Sequence, residues 1–168
     1  MFIHLILRKK LSIKEALHFF NHSNYSKRKR NAALRKAGAM FPPSITIIPP
    51  FHSANGNFTI GERTFINKGC AILDTDKVEI GDDVSIGPNV TVCTINHSLH
   101  PLARLQCWDT IAPVKIGNGV WIGAGTVVLP GVIIGDGAVI GANSVVNCDI
   151  PSNTLYAGSP VKYIKNLI

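Results

Sequence analysis

The sequence predicts a mainly β fold: a parallel β-helix of hexapeptide repeats with a short N-terminal helical segment. From residue 60 an aliphatic residue recurs with a step of six, most cleanly at Ile116, Ile122, Val128, Ile134, Ile140 and Val146. Gly follows Ile60, Ile80, Ile86, Ile116, Ile122, Ile134 and Ile140. The first 41 residues share neither feature and carry a different charge. A step of six matches neither the 3.6 period of a helix nor a hairpin series; it is the repeat of a parallel β-helix. Each hexad makes one short strand and one corner, and three hexads close a triangular coil. Stacked coils then bury a continuous aliphatic column. Gly, Asn and Asp suit the corners because they tolerate tight backbone conformations.

Composition agrees with one folded domain. The 168 residues are 46% hydrophobic and 16% charged, enough apolar content for a sizeable core and too little charge for a disordered chain. The formal net charge of +7 suggests a nucleic-acid or membrane partner until it is located. Residues 1–41 hold ten Lys or Arg and one Glu, whereas residues 42–168 hold seven basic and nine acidic residues. The repeat region is therefore near neutral, and nucleic acid is not expected as a partner. No apolar run approaches a transmembrane length. Met1–Leu7 is apolar, but Arg8-Lys9-Lys10 follows it rather than preceding it, the reverse of a secretory leader. Four dispersed cysteines, without a CxxC pair, read as reduced thiols in a cytoplasmic protein.

Along the chain, residues 1–50 read as a helical segment and Pro-rich connector, and residues 51–168 as the β-helix with a protruding loop at 93–115. Ser12-Ile-Lys-Glu15 has capping-box form, and Ile13, Leu17 and Phe20 follow on one helical face. A second helix is expected over about 26–37, with Gly38 as its stop. Its run Lys27-Arg28-Lys29-Arg30 reads as a solvated helix face, an anionic surface being the alternative partner. Pro42-Pro43 and Pro49-Pro50 prevent further helix. Early hexads fall at Ile60, Ile66 and Ile72, then, after a slip of two, at Ile80, Ile86 and Val92. Between Val92 and Ile116 the pattern lapses into a polar stretch containing His97, His100, Pro101, Arg104, Trp108 and Pro113. A polar, Pro-bearing interruption of a rigid solenoid reads as a loop thrown outward, where function commonly sits. Of six histidines, His4, His18, His22 and His52 precede the main repeat, and only His97 and His100 lie in the loop.

Particular segments go further than the period. Thr94-Ile-Asn-His-Ser-Leu-His-Pro-Leu-Ala-Arg104, Val114-Lys-Ile-Gly-Asn-Gly-Val-Trp-Ile-Gly123, Asp149-Ile-Pro-Ser-Asn153 and Ala157-Gly-Ser-Pro-Val-Lys162 together resemble the galactoside and maltose O-acetyltransferase family. The resemblance spans about residues 30–168. It implies a left-handed winding and a homotrimer with active sites between neighbouring chains. It also implies acetyl transfer from acetyl-CoA to a hydroxyl of a sugar or glycan precursor. On it, His97 matches the catalytic base, and the backbone N–H of Ala124 matches the oxyanion donor. Ala124 and Ala142 line the path of the pantetheine arm, and Lys162 and Lys165 lie where cations meet the CoA phosphates. Asn67, Asp74 and, more weakly, Ser53 match the acceptor site. Trp121, at the sixth place of its hexad, should point outward, either as a contact across a chain interface or as a wall of the acceptor pocket. Asn147-Cys148 stands where the family has Thr-Lys, so one expected cation is missing. N-acetylation of an amino sugar or xenobiotic, and a catalytically silent trimeric scaffold, are the alternative readings. Cys93-x3-His97-x2-His100 has a metal-like look and Cys93 could be a nucleophile, but the resemblance implies direct transfer, without a metal.

Overall fold

The computed structural model describes residues 11–107 and 109–168. The readings of Met1–Lys10 as a non-secretory start, of His4, and of Trp108 as a loop residue lie outside them. Two helices open the described chain, α1 (Ile13–His22) and α2 (Lys27–Lys36). The predicted capping box is present: Ser12 Oγ accepts from Glu15 N–H, and the Glu15 carboxylate accepts from Ser12 N–H at 2.9 Å. Helix α1 buries Ala16, Leu17, Phe19 and Phe20.

A parallel three-sided solenoid follows. Face one stacks Thr46–Ile47, Phe65–Ile66, Ser85–Ile86, Trp121–Ile122, Val139–Ile140 and Thr154–Ala157 in parallel, and the antiparallel strand Lys162–Asn166 closes it. Face two stacks Phe51–Ser53, Cys70–Leu73, Thr91–Cys93, Val127–Val128 and Val145–Val146. Face three stacks Phe58–Ile60, Val78–Ile80, Val114–Ile116 and Ile133–Ile134. The first rung includes Thr46–Ile47, ahead of residue 51. The hexad aliphatics point inward and align in register, as Ile66, Ile86, Ile122 and Ile140 do on face one. Each of these four is at most 3% exposed. Full burial of a Val or Ile side chain contributes about 1.5–3 kcal/mol, so the columns are the main stabilising term.

The amino-terminal end of this column would be open without α1. Phe20 meets Phe51 edge-on at 6.4 Å between ring centroids, and Phe51 meets Phe58 at 5.8 Å. The Asn21 amide donates to Phe51 O and accepts from Phe51 N–H, both at 2.9 Å. It thereby substitutes for the peptide group of a missing rung and satisfies the exposed strand edge.

Every break in the six-residue step lies at one corner, between faces two and three. There the chain runs from Ile72 to Ile80 with its slip of two, and from Val92 to Ile116 with the loop. Asp74 organises this corner. It is 0% exposed, and its carboxylate accepts from Ala54 N–H (2.7 Å), Asn55 N–H (2.9 Å), Asn57 N–H (2.5 Å) and Ser53 Oγ (2.9 Å). Ser53, itself buried, also accepts from Gly56 N–H. Asp74 and Ser53, expected at the acceptor site, are both buried here, with their side-chain oxygens engaged in the turn. Asp74→Ala strands three backbone donors and a hydroxyl, and is expected to cost about 3–5 kcal/mol. Denaturant unfolding of the purified variant measures this, and a loss below about 1 kcal/mol contradicts it.

Candidate active site

The corner between faces one and two is built differently. Along it, Ile86-Gly87-Pro88, Ile122-Gly123-Ala124 and Ile140-Gly141-Ala142 stack rung on rung. A Cβ on Gly87 would lie 2.7 Å from Ala124 N, and one on Gly123 would lie 2.5 Å from Ala142 N. Glycine is required because successive coils meet backbone to backbone. Gly87, Gly123 and Gly141 each donate to the next rung, at Ile122, Ile140 and Tyr156. The residue after each glycine has turned out of the ladder, so its N–H needs another acceptor.

At the corner between faces three and one the same problem is solved by stacked Asp and Asn side chains. Glu62 N–H donates to Asp82 Oδ1 (2.7 Å), Asp82 N–H to Asn118 Oδ1 (2.9 Å) and Asn118 N–H to Asp136 Oδ1 (2.7 Å). At the first corner these acceptors are replaced. Lys68 N–H meets Asn67 Oδ1 at 2.8 Å, Pro88 has no N–H, and Ala124 and Ala142 carry N–H groups with no acceptor among the described residues. Two free backbone donors thus stand on adjacent rungs, about 4.8 Å apart.

They open onto a groove of about 590 Å³ that runs along face one. Its walls include Phe65, Asn67, Trp121, Ala124, Ala142 and Leu155. The structure therefore brings four expected site residues, Asn67, Trp121, Ala124 and Ala142, into one cleft. Trp121 points outward, as its place in the hexad requires, and is 57% exposed. Lys162 and Lys165, both exposed, lie on the closing strand in register with Ala157 and Leu155, at the carboxyl end of the groove. Asn147 and Cys148 are exposed.

His97 lies elsewhere. The loop leaves at Thr94 and returns at Ala112, whose N–H donates to Thr94 O. Its base is an antiparallel ribbon of Ile95–Asn96 with Thr110–Ile111, and its tip holds the short helix α3 (Pro101–Leu105). Arg104 braces the tip by donating to the carbonyls of Ser98 and Leu99. The ribbon sets His97 opposite Asp109, with His97 Nδ1 2.8 Å from Asp109 Oδ1. The His97 side chain is 73% exposed and that of Asp109 only 16%. A carboxylate at Nδ1 requires the proton there, which leaves the Nε2 lone pair facing outward. Asp109 was not singled out in the sequence. Its signal was a carboxylate on the return limb of the loop, legible only once the ribbon's register is known. His100 caps α3 without a side-chain bond. Cys93 sits at the end of its strand on face two, and burial pushes its thiol pKa up, which disfavours the thiolate a nucleophile needs. Among the described residues no three His, Cys, Asp or Glu side chains gather as a metal-ligating group.

The loop corner is the vertex opposite face one. Within a single chain, His97 and the groove therefore lie on opposite sides of the solenoid.

A stacked-coil solenoid with an outward loop histidine and a groove of free backbone donors defines a hexapeptide-repeat transferase. Comparison narrows the class: the bacterial transferase hexapeptide family (six repeats) matches residues 113–148. Nodulation protein L of Rhizobium meliloti is 45% identical over 130 residues, covering 77% of this chain and 71% of the relative. A galactoside acetyltransferase solved with coenzyme A superposes with a TM-score of 0.89 at 38% identity, covering 97% of this chain and 82% of that one. A maltose O-acetyltransferase from Clostridium difficile 630 superposes with a TM-score of 0.88 at 37% identity, covering 98% and 89%. The chain belongs to the hexapeptide-repeat acetyltransferases of the galactoside and maltose O-acetyltransferase family, and is an acyltransferase.

The contrast between corners yields a stability test. In Ala142→Asp the new carboxylate lies one rung beyond Ala124, in the relation that Asp136 has to Asn118. Unfolding free energy is expected to stay level or rise by up to about 1.5 kcal/mol. A loss of more than about 1 kcal/mol by thermal unfolding contradicts this account of the corner.

Proposed function

We propose that the protein is an acetyl-CoA-dependent O-acetyltransferase that acts on a hydroxyl of a sugar or glycan precursor, with His97 as general base. The observation that carries the reading is the pair of free N–H donors of Ala124 and Ala142 on the groove floor. The related galactoside acetyltransferase was solved with coenzyme A. Here the pantetheine arm follows the groove, its amides meet the unladdered backbone, and its phosphates meet Lys162 and Lys165.

The chemistry follows from these groups. A sugar hydroxyl stays protonated at neutral pH and attacks a thioester slowly. His97 Nε2 accepts its proton as the hydroxyl oxygen bonds to the thioester carbonyl carbon. Asp109 holds the ring in the required tautomer and faces the imidazolium that forms. The carbonyl oxygen becomes an oxyanion, which the Ala124 N–H stabilises. The carbon–sulfur bond then breaks and the His97 proton passes to the CoA sulfur, leaving the ester and free CoA. Asn67 and Trp121 are the acceptor-facing residues of the cleft.

A groove and a base on opposite sides of one coil suit a closed ring of copies, in which the loop of one protomer reaches the groove of the next. We take this ring to be a trimer. Among the described residues no helix is long and apolar enough to cross a membrane. We assign the enzyme to the cytoplasm, where acetyl-CoA is available.

Purified protein with acetyl-CoA and a panel of sugars is expected to release thiol above background; a silent protein overturns the enzymatic reading. His97→Ala should lower kcat by about 10²–10⁴-fold while CoA still binds. Ala142→Asp, folded but with its Ala124 donor capped, should lose about 10²–10³-fold. Co-refolding these two variants in equal amounts tests the shared site. Random trimers regain about a quarter of the wild-type rate if loop and groove come from different chains, and none if each chain completes its own site.

A further inference from the structure

Helix α2 carries Lys27, Arg28, Lys29, Arg30, Arg35 and Lys36 and no acidic residue. None of the ion pairs among the described residues involves this helix. Three of its six cations lie on aromatic rings instead. Lys29 Nζ is 4.9 Å from the Tyr25 ring centroid, while Arg30 Cζ and Arg35 Cζ are each 5.7 Å from the centroids of Phe20 and Phe41. A guanidinium beside a ring is held in place and keeps N–H donors to offer. Lys27, Arg28, Lys29 and Lys36 are exposed and pair with no acidic side chain among the described residues.

The helix is also tied to the groove. Lys27 Nζ donates to Thr46 Oγ1 at 3.1 Å. Thr46 is the register partner of Phe65, which lines the groove. The Lys27 ammonium thus stands one rung beyond the amino-terminal end of the groove, the end that holds Asn67 and lies furthest from Lys162 and Lys165. Exposed Lys68 follows Asn67 at the same end.

We infer that the acceptor is an anionic saccharide, bearing carboxylate or phosphate groups, whose charge docks on α2 while its reacting hydroxyl enters the groove. This rests on the acetyl-transfer reading of the groove. About 15 Å of helix carries the six cations, a span that suits an extended chain of several sugar units rather than a single sugar. Attraction between such surfaces is salt-dependent and raises encounter rate and selectivity.

The test measures binding and turnover separately. Titration calorimetry and steady-state transfer compare an oligogalacturonate, a phosphorylated mannan oligomer and a neutral galacto-oligosaccharide of similar length. At least one anionic acceptor is expected to show a KM about tenfold or more below the neutral one, and to lose the advantage at high salt. Lys27→Glu/Arg28→Glu, at exposed positions, should abolish that advantage and leave the KM for acetyl-CoA and for the neutral sugar unchanged. Lys115→Glu, an exposed charge reversal on face three, should leave it intact. Equal KM values for charged and neutral acceptors overturn the inference, as does binding of phosphatidylglycerol vesicles without any preference among the sugars. If the anionic oligosaccharide binds in an α2-dependent manner but no sugar is acetylated, the anion site stands and the transfer reading falls.

Discussion

Everything in this molecule depends on coils stacking backbone on backbone. A parallel ladder with a fixed rung spacing leaves room inside for one aliphatic residue per hexad, and at several corners brings successive backbones too close for a side chain. Gly87 and Gly123 show the constraint directly: a methyl group on either would collide with the next rung's nitrogen. A fold so uniform cannot build a concave active site by packing elements at varied angles. It has only its corners with which to depart from regularity.

The three corners have been put to three uses. The corner between faces two and three absorbs every insertion, and the buried Asp74 carboxylate collects the backbone donors that those insertions strand. The corner between faces three and one is closed by Asp82, Asn118 and Asp136, where a neutral Asn separates two acids that would otherwise sit on adjacent rungs. The corner between faces one and two lacks such caps, and its donors face a groove. On the function proposed above, catalytic competence is a local omission: alanine stands where the fold elsewhere uses a capping side chain. A donor fixed by the ladder needs no rearrangement to meet developing charge, the condition under which a backbone N–H stabilises an oxyanion well.

Much of this was legible in the residues, but unevenly. The hexads, the Ser12–Glu15 cap, the outward Trp121 and the loop all follow from spacing, because period and side-chain direction are linked in a solenoid. Ala124 and Ala142 were reached through family resemblance, yet a purely physical signal was present. Ile-Gly-Asp and Ile-Gly-Asn alternate with Ile-Gly-Ala along the repeat, and an alanine offers the rung before it no side-chain acceptor. The turn role of Asp74 and Ser53 was not legible, because an Asp at a strand end looks the same whether its carboxylate turns outward or inward. What decides the matter is the number of backbone donors that the slip of two leaves on the inside. Asp109 was invisible for a related reason: a pairing across a twelve-residue separation exists only once the ribbon's register is set.

The charge asymmetry gains its meaning from the same geometry. The solenoid is near neutral, and cations flank the two ends of the groove, with Lys162 and Lys165 on the closing strand and α2 at the opening. A helix with six cations and no acid gains no stabilising ion pair of its own, and Lys27 and Arg30, three residues apart, repel. That cost persists unless something else needs the charge. The aromatic residues that cap the column supply part of the compensation, because Phe20 closes the core and also carries Arg30. The rest meets no ion-pair partner among the described residues. An acceptor of opposite charge would offset the repulsion. A neutral sugar would not, and a uniformly neutral substrate class would leave the composition of α2 without a physical cause.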